Sequence, residues 1–210
     1  MKPLADCRLY TFVDTGCLRG RSAAEVARQL CEGGADIIQL RAKGLERDDV
    51  ARLGREVLPV ARMFDVGLVV NDHCDVAKEL GADLCHLGQE DFFDSAGACG
   101  ARAAGQPFGL STHSPAQARR AVAAAPAYIA VGPVYVTPTK PQAPPVTLEY
   151  VRWAAENVEI PWFAIGGINQ ANLEDVLRVG ATRLCVVSAI LNAPDVAAAC
   201  REFKRRICAG

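Results

Sequence analysis

Short apolar runs alternate with amphipathic stretches along the whole chain. Leu9 to Val13 is the first run, and Ser22-Ala23-Ala24-Glu25 after it is a capping-box pattern opening a helix that stops at Gly33-Gly34. Ile37 to Leu40 is the second run. The helix expected from Asp48 carries Val50, Leu53, Val57 and Val60 at helical spacing, with Pro59 expected to bend or end it. Gly67 to Val70 and Leu84 to Leu87 predict the third and fourth strands, and Phe108 to Leu110 the fifth, ahead of a Ser114-Pro115 helix start. Tyr128 to Val131, Trp162 to Ile165 and Leu184 to Val187 complete eight. The last helix places Val196, Cys200, Phe203 and Ile207 on one stripe. Eight units in 210 residues leave about 26 residues each, enough for a strand, a helix and two short loops.

Strict alternation of this kind implies a parallel sheet covered by helices, and eight repeats favour closure. The expectation is an α/β fold, a single (β/α)8 TIM barrel spanning residues 1–210 as one domain. An open doubly wound sheet is the alternative, although no GxGxxG follows the first strand.

Composition narrows the partners. Half the residues are apolar and the formal net charge is −1, so the chain can bury a full core and carries no electrostatic footprint for nucleic acid or an anionic membrane surface. No apolar run approaches the roughly 20 residues of a spanning helix, and the start lacks the basic and apolar regions of a signal peptide. A cytoplasmic protein is expected, and self-association is left open. The nine cysteines form no CxxC or Cys/His cluster. Cys85, Cys185 and Cys200 stand where a small apolar residue would face a core, which makes buried thiols the expected reading.

In a barrel of this type catalysis belongs to the loops after the strands, so polar groups at strand ends are the candidates. Two runs end near carboxylates, Asp72 in one and Asp91 in the other, and strand ends on one face could bring both to one cation. The plainer alternative is that Asp72 and Asp75 cap the following helix. Alternation after the second strand puts Gln39, Arg41 and Lys43 on one side, suited to a phosphate, or simply solvated or paired with carboxylates in the barrel mouth. Ser111-Thr112-His113 follows the fifth strand, where hydroxyls bind phosphate or start a helix. The long proline-rich loop after the sixth offers Thr137, Thr139 and Lys140, as a binding loop or a surface insertion. Gly166-Gly167 and Val187-Ser188 follow the last two strands, where barrels often hold a phosphate. His73, His86 and His113 share no motif that would make a nucleophilic triad. The set divides into carboxylates plus cations for a metal-bound polyphosphate and a glycine/serine pocket for a plain phosphate, which suits a two-substrate transfer.

Several stretches are more specific: QLRAK at Gln39 to Lys43, ND at Asn71-Asp72, HLGQED at His86 to Asp91, GPVYVTPTK at Gly132 to Lys140, AIGGI at Ala164 to Ile168 and VVSAI at Val186 to Ile190. Together, and in this order, they resemble the thiamine-phosphate synthase family. The resemblance implies a (β/α)8 barrel that joins 4-amino-2-methyl-5-hydroxymethylpyrimidine diphosphate to 4-methyl-5-(2-hydroxyethyl)thiazole phosphate, giving thiamine phosphate and diphosphate with Mg2+. It also implies roles. Gln39, Arg41, Lys43 and Asn71 would hold the pyrimidine diphosphate, Asp72 and Asp91 the magnesium, and Ser111 and Lys140 the departing diphosphate; Arg41, Lys43, Ser111 and Lys140 make up the catalytic set. Thr137 and Thr139 would bind the thiazole phosphate, with Gly167, Val187 and Ser188 completing its pocket. One departure is Pro144-Pro145-Val146-Thr147, where the family usually shows a glycine, which bears on how the preceding loop closes. Two rivals stand beside this reading: an isomerase like the thiazole tautomerases, and a non-catalytic barrel that binds thiamine phosphates.

Overall fold

A computed structural model describes residues 1–94, 105–137 and 144–209. Eight parallel strands, β1 (Leu9–Asp14), β2 (Ile37–Arg41), β3 (Gly67–Asn71), β4 (Leu84–Leu87), β5 (Phe108–Thr112), β6 (Tyr128–Val131), β7 (Trp162–Ile165) and β8 (Leu184–Cys185), pair in sequence order, and β8 returns to β1. The barrel is closed, which removes the open-sheet alternative. Cys85, Cys185 and Cys200 are buried in its core as free thiols.

The helices follow their sequence signals closely. α1 (Ala23–Glu32) begins where Ser22 Oγ accepts from the Glu25 N–H at 3.1 Å, buries Val26, Ala27 and Leu30, and ends at Gly33. α2 (Arg47–Met63) packs beside it. α3 (Cys74–Leu80) and α4 (Gln89–Phe93) follow β3 and β4. α5 (Pro115–Ala123) has Pro at its first turn and Ser114 Oγ accepting from the Gln117 N–H. α6 (Thr147–Asn157), α7 (Leu173–Arg178), α8 (Ser188–Leu191) and α9 (Val196–Ala209) complete the described α-helices. α9 buries Val196, Cys200, Phe203 and Ile207, the stripe read from sequence. Phe203 is fully buried, worth roughly 1.5–3 kcal/mol over exposure; truncation to Ala would cost about 3–5 kcal/mol.

Three local expectations are corrected. Pro59 does not end α2, which runs four residues further, because Val57, Val60 and Ala61 are buried on the barrel side and tertiary packing overrides the missing N–H. β8 stops at Cys185: Val187 turns to φ −117°, ψ −84°, outside the extended region, and leads into α8. Asp72 and Asp75 do not cap α3, whose N-cap is His73 without a side-chain bond; Asp75 instead accepts from Arg47 Nε at 2.7 Å.

The barrel is filled by aromatic side chains. Tyr10, Tyr128 and Phe163 meet edge to face with ring centroids 5.3–5.8 Å apart. Gly109, paired with Tyr128 across β5 and β6, makes this possible: a Cβ there would lie 2.2 Å from the Tyr128 ring. At the opposite end from the strand-following loops, buried Asp36 accepts from the Arg8 N–H at 2.6 Å and the Leu9 N–H at 2.9 Å and pairs with Lys2 and Lys204. Burial alone would raise its pKa, but these four partners hold it below the usual carboxylate range.

Candidate active site

The C-terminal ends of the strands surround one open cleft with about 900 Å³ of empty space, counted out into its mouth. Gln39, Arg41, Lys43, Asn71, Asp72, Asp91, Ser111, Thr137, Gly167, Val187 and Ser188 all line it. These are the expected site residues, brought together from the ends of seven strands, β2 to β8. Thr139 and Lys140 lie outside the described residues.

On the β1–β4 side the groups are charged and already paired. Arg41 Nη1 donates to Asp14 Oδ2 at 2.8 Å, in register across β1 and β2, and both side chains are largely buried. Lys43 Nζ lies 2.5 Å from Asp72 Oδ2. The plainer reading of these cations, pairing with carboxylates in the barrel mouth, is met, and both also line the cleft. Asp72 sits at φ +66°, a left-handed conformation uncommon outside glycine, with its N–H on the His86 carbonyl at 2.9 Å. Asp91 is not at the strand end itself but in the first turn of α4, three residues past Gly88.

The β6–β8 side has no such charges among its described lining residues. Here Gly132, Pro133, Ile165, Gly166, Gly167, Ile168, Val187 and Ser188 form the wall. Gly166, at φ +104°, has no room for a side chain: a Cβ would lie 2.4 Å from Pro133 Cβ. The tightness of this contact is what brings backbone, rather than side chains, to the cleft.

Across the floor, Gln39 Nε2 donates to Tyr10 Oη at 2.5 Å, and Tyr10 and Tyr128 hydroxyls are 3.0 Å apart. Tyr128 Oη lies 2.8 Å from His86 Nδ1, and His86 Nε2 lies 2.9 Å from Ser111 Oγ. Burial pushes both tyrosine hydroxyls far above the usual phenol range, so they stay neutral. Cys185 also lines the cleft, but burial raises its thiol well above the ordinary value and denies it nucleophilic character.

Sequence reasoning missed Asp14, Phe12 and Pro133 at this site, while His86 and His113, read as structural or as local hydrogen-bond partners, are such partners here, His86 to Tyr128 and Ser111 and His113 to the Gly132 carbonyl. Asp14 could have been suspected from position alone, since it stands at a strand's C-terminal end. What the sequence does not signal is the partner it finds on a neighbouring strand.

Magnesium is a hard cation that takes one or two carboxylates plus phosphate oxygens. Among the described residues no group of three or more His, Cys, Asp or Glu is assembled to hold a metal unaided. Asp72 and Asp91, two oxygen donors on one cleft, fit a cation that arrives with a phosphorylated substrate.

A closed parallel barrel with ion-paired cations on one wall of its mouth and a glycine wall opposite defines a protein of the (β/α)8 class whose cleft suits anions. The sequence profile of thiamine monophosphate synthase matches residues 9–190. A thiamine-phosphate synthase of Thermus thermophilus is 47% identical over 176 residues, 83% of this chain and 84% of that one. One of Acidothermus cellulolyticus is 43% identical over 209 residues, covering 98% and 97%. The solved thiamine phosphate pyrophosphorylase of Pyrococcus furiosus superposes with a TM-score of 0.88 at 30% identity, over 99% of this chain and 98% of that one. The chain belongs to the thiamine monophosphate synthase family, a family of transferases. No described helix is long and apolar enough to cross a membrane.

Proposed function

We propose that this chain joins 4-amino-2-methyl-5-hydroxymethylpyrimidine diphosphate to 4-methyl-5-(2-hydroxyethyl)thiazole phosphate, releasing diphosphate and forming thiamine phosphate. The observation that carries this reading is the division of a single cleft into a charged wall and an uncharged glycine wall, which suits two anions of different charge. Gln39 and Asn71 hold the pyrimidine. Arg41 and Lys43 bind its diphosphate, Arg41 kept in place by Asp14. Ser111 donates to the departing group, and Lys140 joins it from the loop.

The reaction runs dissociatively. The bond between the pyrimidine methylene and the diphosphate oxygen breaks heterolytically, the electron pair leaves with diphosphate, and the thiazole nitrogen closes on the methylene cation. No protein nucleophile is needed; the work is electrostatic help for the leaving group and positioning of the acceptor. Thr137 and Thr139, with Gly167, Val187 and Ser188, hold the thiazole phosphate so that its ring nitrogen faces the methylene. Asp72 and Asp91 would hold Mg2+, which when bound neutralises charge on the diphosphate. We place the reaction in the cytoplasm, a reading that the free thiols of the described cysteines support.

Incubating the purified protein with both substrates and Mg2+ tests this. Diphosphate release that requires the thiazole phosphate supports it. Isomerisation of a thiazole without diphosphate release, or binding without turnover, would replace it with one of the two rivals.

A further inference from the structure

The floor of the cleft carries an unbroken line of hydrogen bonds from one side to the other: Gln39, Tyr10, Tyr128, His86, Ser111. Its members come from β2, β1, β6, β4 and β5, and all but Ser111 are buried. Such a line has a direction, because each hydroxyl owns one proton and a neutral imidazole owns one. Gln39 donates through Nε2 to Tyr10, so the Tyr10 proton is free to go to Tyr128. Tyr128 then gives its proton to His86 Nδ1. His86 must carry its own proton on Nε2, where it donates to Ser111 Oγ. The Ser111 proton is left for the cleft. At the other end, the same amide orientation leaves Gln39 Oε1 buried, on the cleft and without a hydrogen-bond partner among the described residues.

We propose that Tyr10, Tyr128 and His86 are positioning residues that lock Gln39 as an acceptor and Ser111 as a donor at opposite ends of one polarised relay. Reversing it would flip both ends together: Gln39 would present Nε2 and Ser111 would spend its proton on His86. The relay thus ties recognition at one end to donation at the other. A substrate with an amino group at Gln39 and an anionic group at Ser111 matches this polarity; a substrate with a bare ring acceptor at Gln39 does not. The identity of those two groups rests on the function proposed above, whereas the polarity rests on the hydrogen bonds alone. Neutral tyrosines, kept so by burial, are what let the order persist.

The test reads the tautomer of His86 by 15N NMR on the substrate-free protein at about pH 8.5, above the ordinary imidazole range. The chain has three histidines, so single His→Gln variants assign the signals. The expected spectrum shows His86 protonated at Nε2 and unprotonated at Nδ1. Tyr128→Phe should move the Nδ1 signal and lower kcat about tenfold. Tyr10→Phe, which frees the Gln39 amide to turn, should raise the pyrimidine diphosphate KM about tenfold while the thiazole phosphate KM stays put. Phe163→Leu is the packing control: its ring touches both tyrosines but carries no proton. It should lower the melting temperature without moving the His86 signal. Protonation at Nδ1 in the wild type would overturn the relay, as would a Tyr128→Phe spectrum identical to wild type. Since the tautomer is read without substrate, this result stands or falls separately from diphosphate release.

Discussion

On the function proposed above, the two walls of the cleft would hold their anions in opposite ways. On the β1–β4 wall charge meets charge: Arg41 is held by Asp14 and Lys43 by Asp72 before any ligand arrives. On the β6–β8 wall the described chain offers backbone, brought close by glycines that admit no side chain. The difference is one of preorganisation against reserve. A backbone wall is rigid and weakly charged, suited to an anion that stays in place. An ion-paired wall stores cations whose partners can be exchanged, suited to a group whose charge grows as it leaves. The cost is that a paired wall depends on each partner.

That dependence gives the largest expected effect. Asp14→Ala would leave Arg41 largely buried and unpaired, a loss of about 3–5 kcal/mol in stability by urea unfolding. A loss no greater than that of an exposed pair would mean that the charged wall is as solvated as any surface. Next comes Lys43→Ala, removing one charge-assisted contact to the diphosphate. It should lower kcat/KM for the pyrimidine diphosphate about ten- to a hundredfold, roughly 1.5–3 kcal/mol; an unchanged value would take Lys43 out of the site.

Asp91→Asn sharpens the contrast within the charged wall by keeping shape and deleting charge. The Mg2+ concentration for half-maximal rate should rise at least about tenfold, with part of the activity recovered at high metal. Superimposable metal curves for variant and wild type would end the case for a shared Mg2+ at Asp72 and Asp91. On the backbone wall, Ser188→Ala should be milder, raising the thiazole phosphate KM about three- to tenfold and leaving the pyrimidine KM alone. If the pyrimidine KM moved instead, the two walls would have been assigned the wrong way round. The smallest effect is expected of Asp75→Asn. It lies in the same stretch as Asp72, but its carboxylate is turned outward to Arg47, so the Mg2+ requirement should not change.

How much of this was legible in the sequence follows from what each feature depends on. The strands and most helix boundaries were, because apolar runs and caps such as Ser22 and Ser114 act over a few residues. Most of the residues that line the cleft were legible too, since a parallel barrel sends every strand end to one face. Their partners were not. Asp14 reaches Arg41 only through the β1–β2 register, and Tyr10 reaches Tyr128 only once the barrel has closed across its interior. Pro59 shows the reverse failure, a strong local signal outweighed by three buried neighbours that the sequence does not mark as such. Thr147 belongs with it: it adopts φ +64° at the start of α6, so the chain takes up a left-handed conformation there without a glycine.

The short pairing of β8 with β1 has a consequence for how the molecule comes to exist. Only Leu9 with Leu184 and Tyr10 with Cys185 stand in register across that junction, and Lys204 on α9 reaches Asp36 just behind it. During synthesis one flank of β1 stays without a neighbour until residue 184 has been added, roughly ten to thirty-five seconds at ordinary elongation rates. For that interval the nascent chain carries an open strand edge, the kind of template that draws in other chains. Tyr10 sits on that edge, so the enzyme acquires the middle of its proton line only in the final moments of its birth.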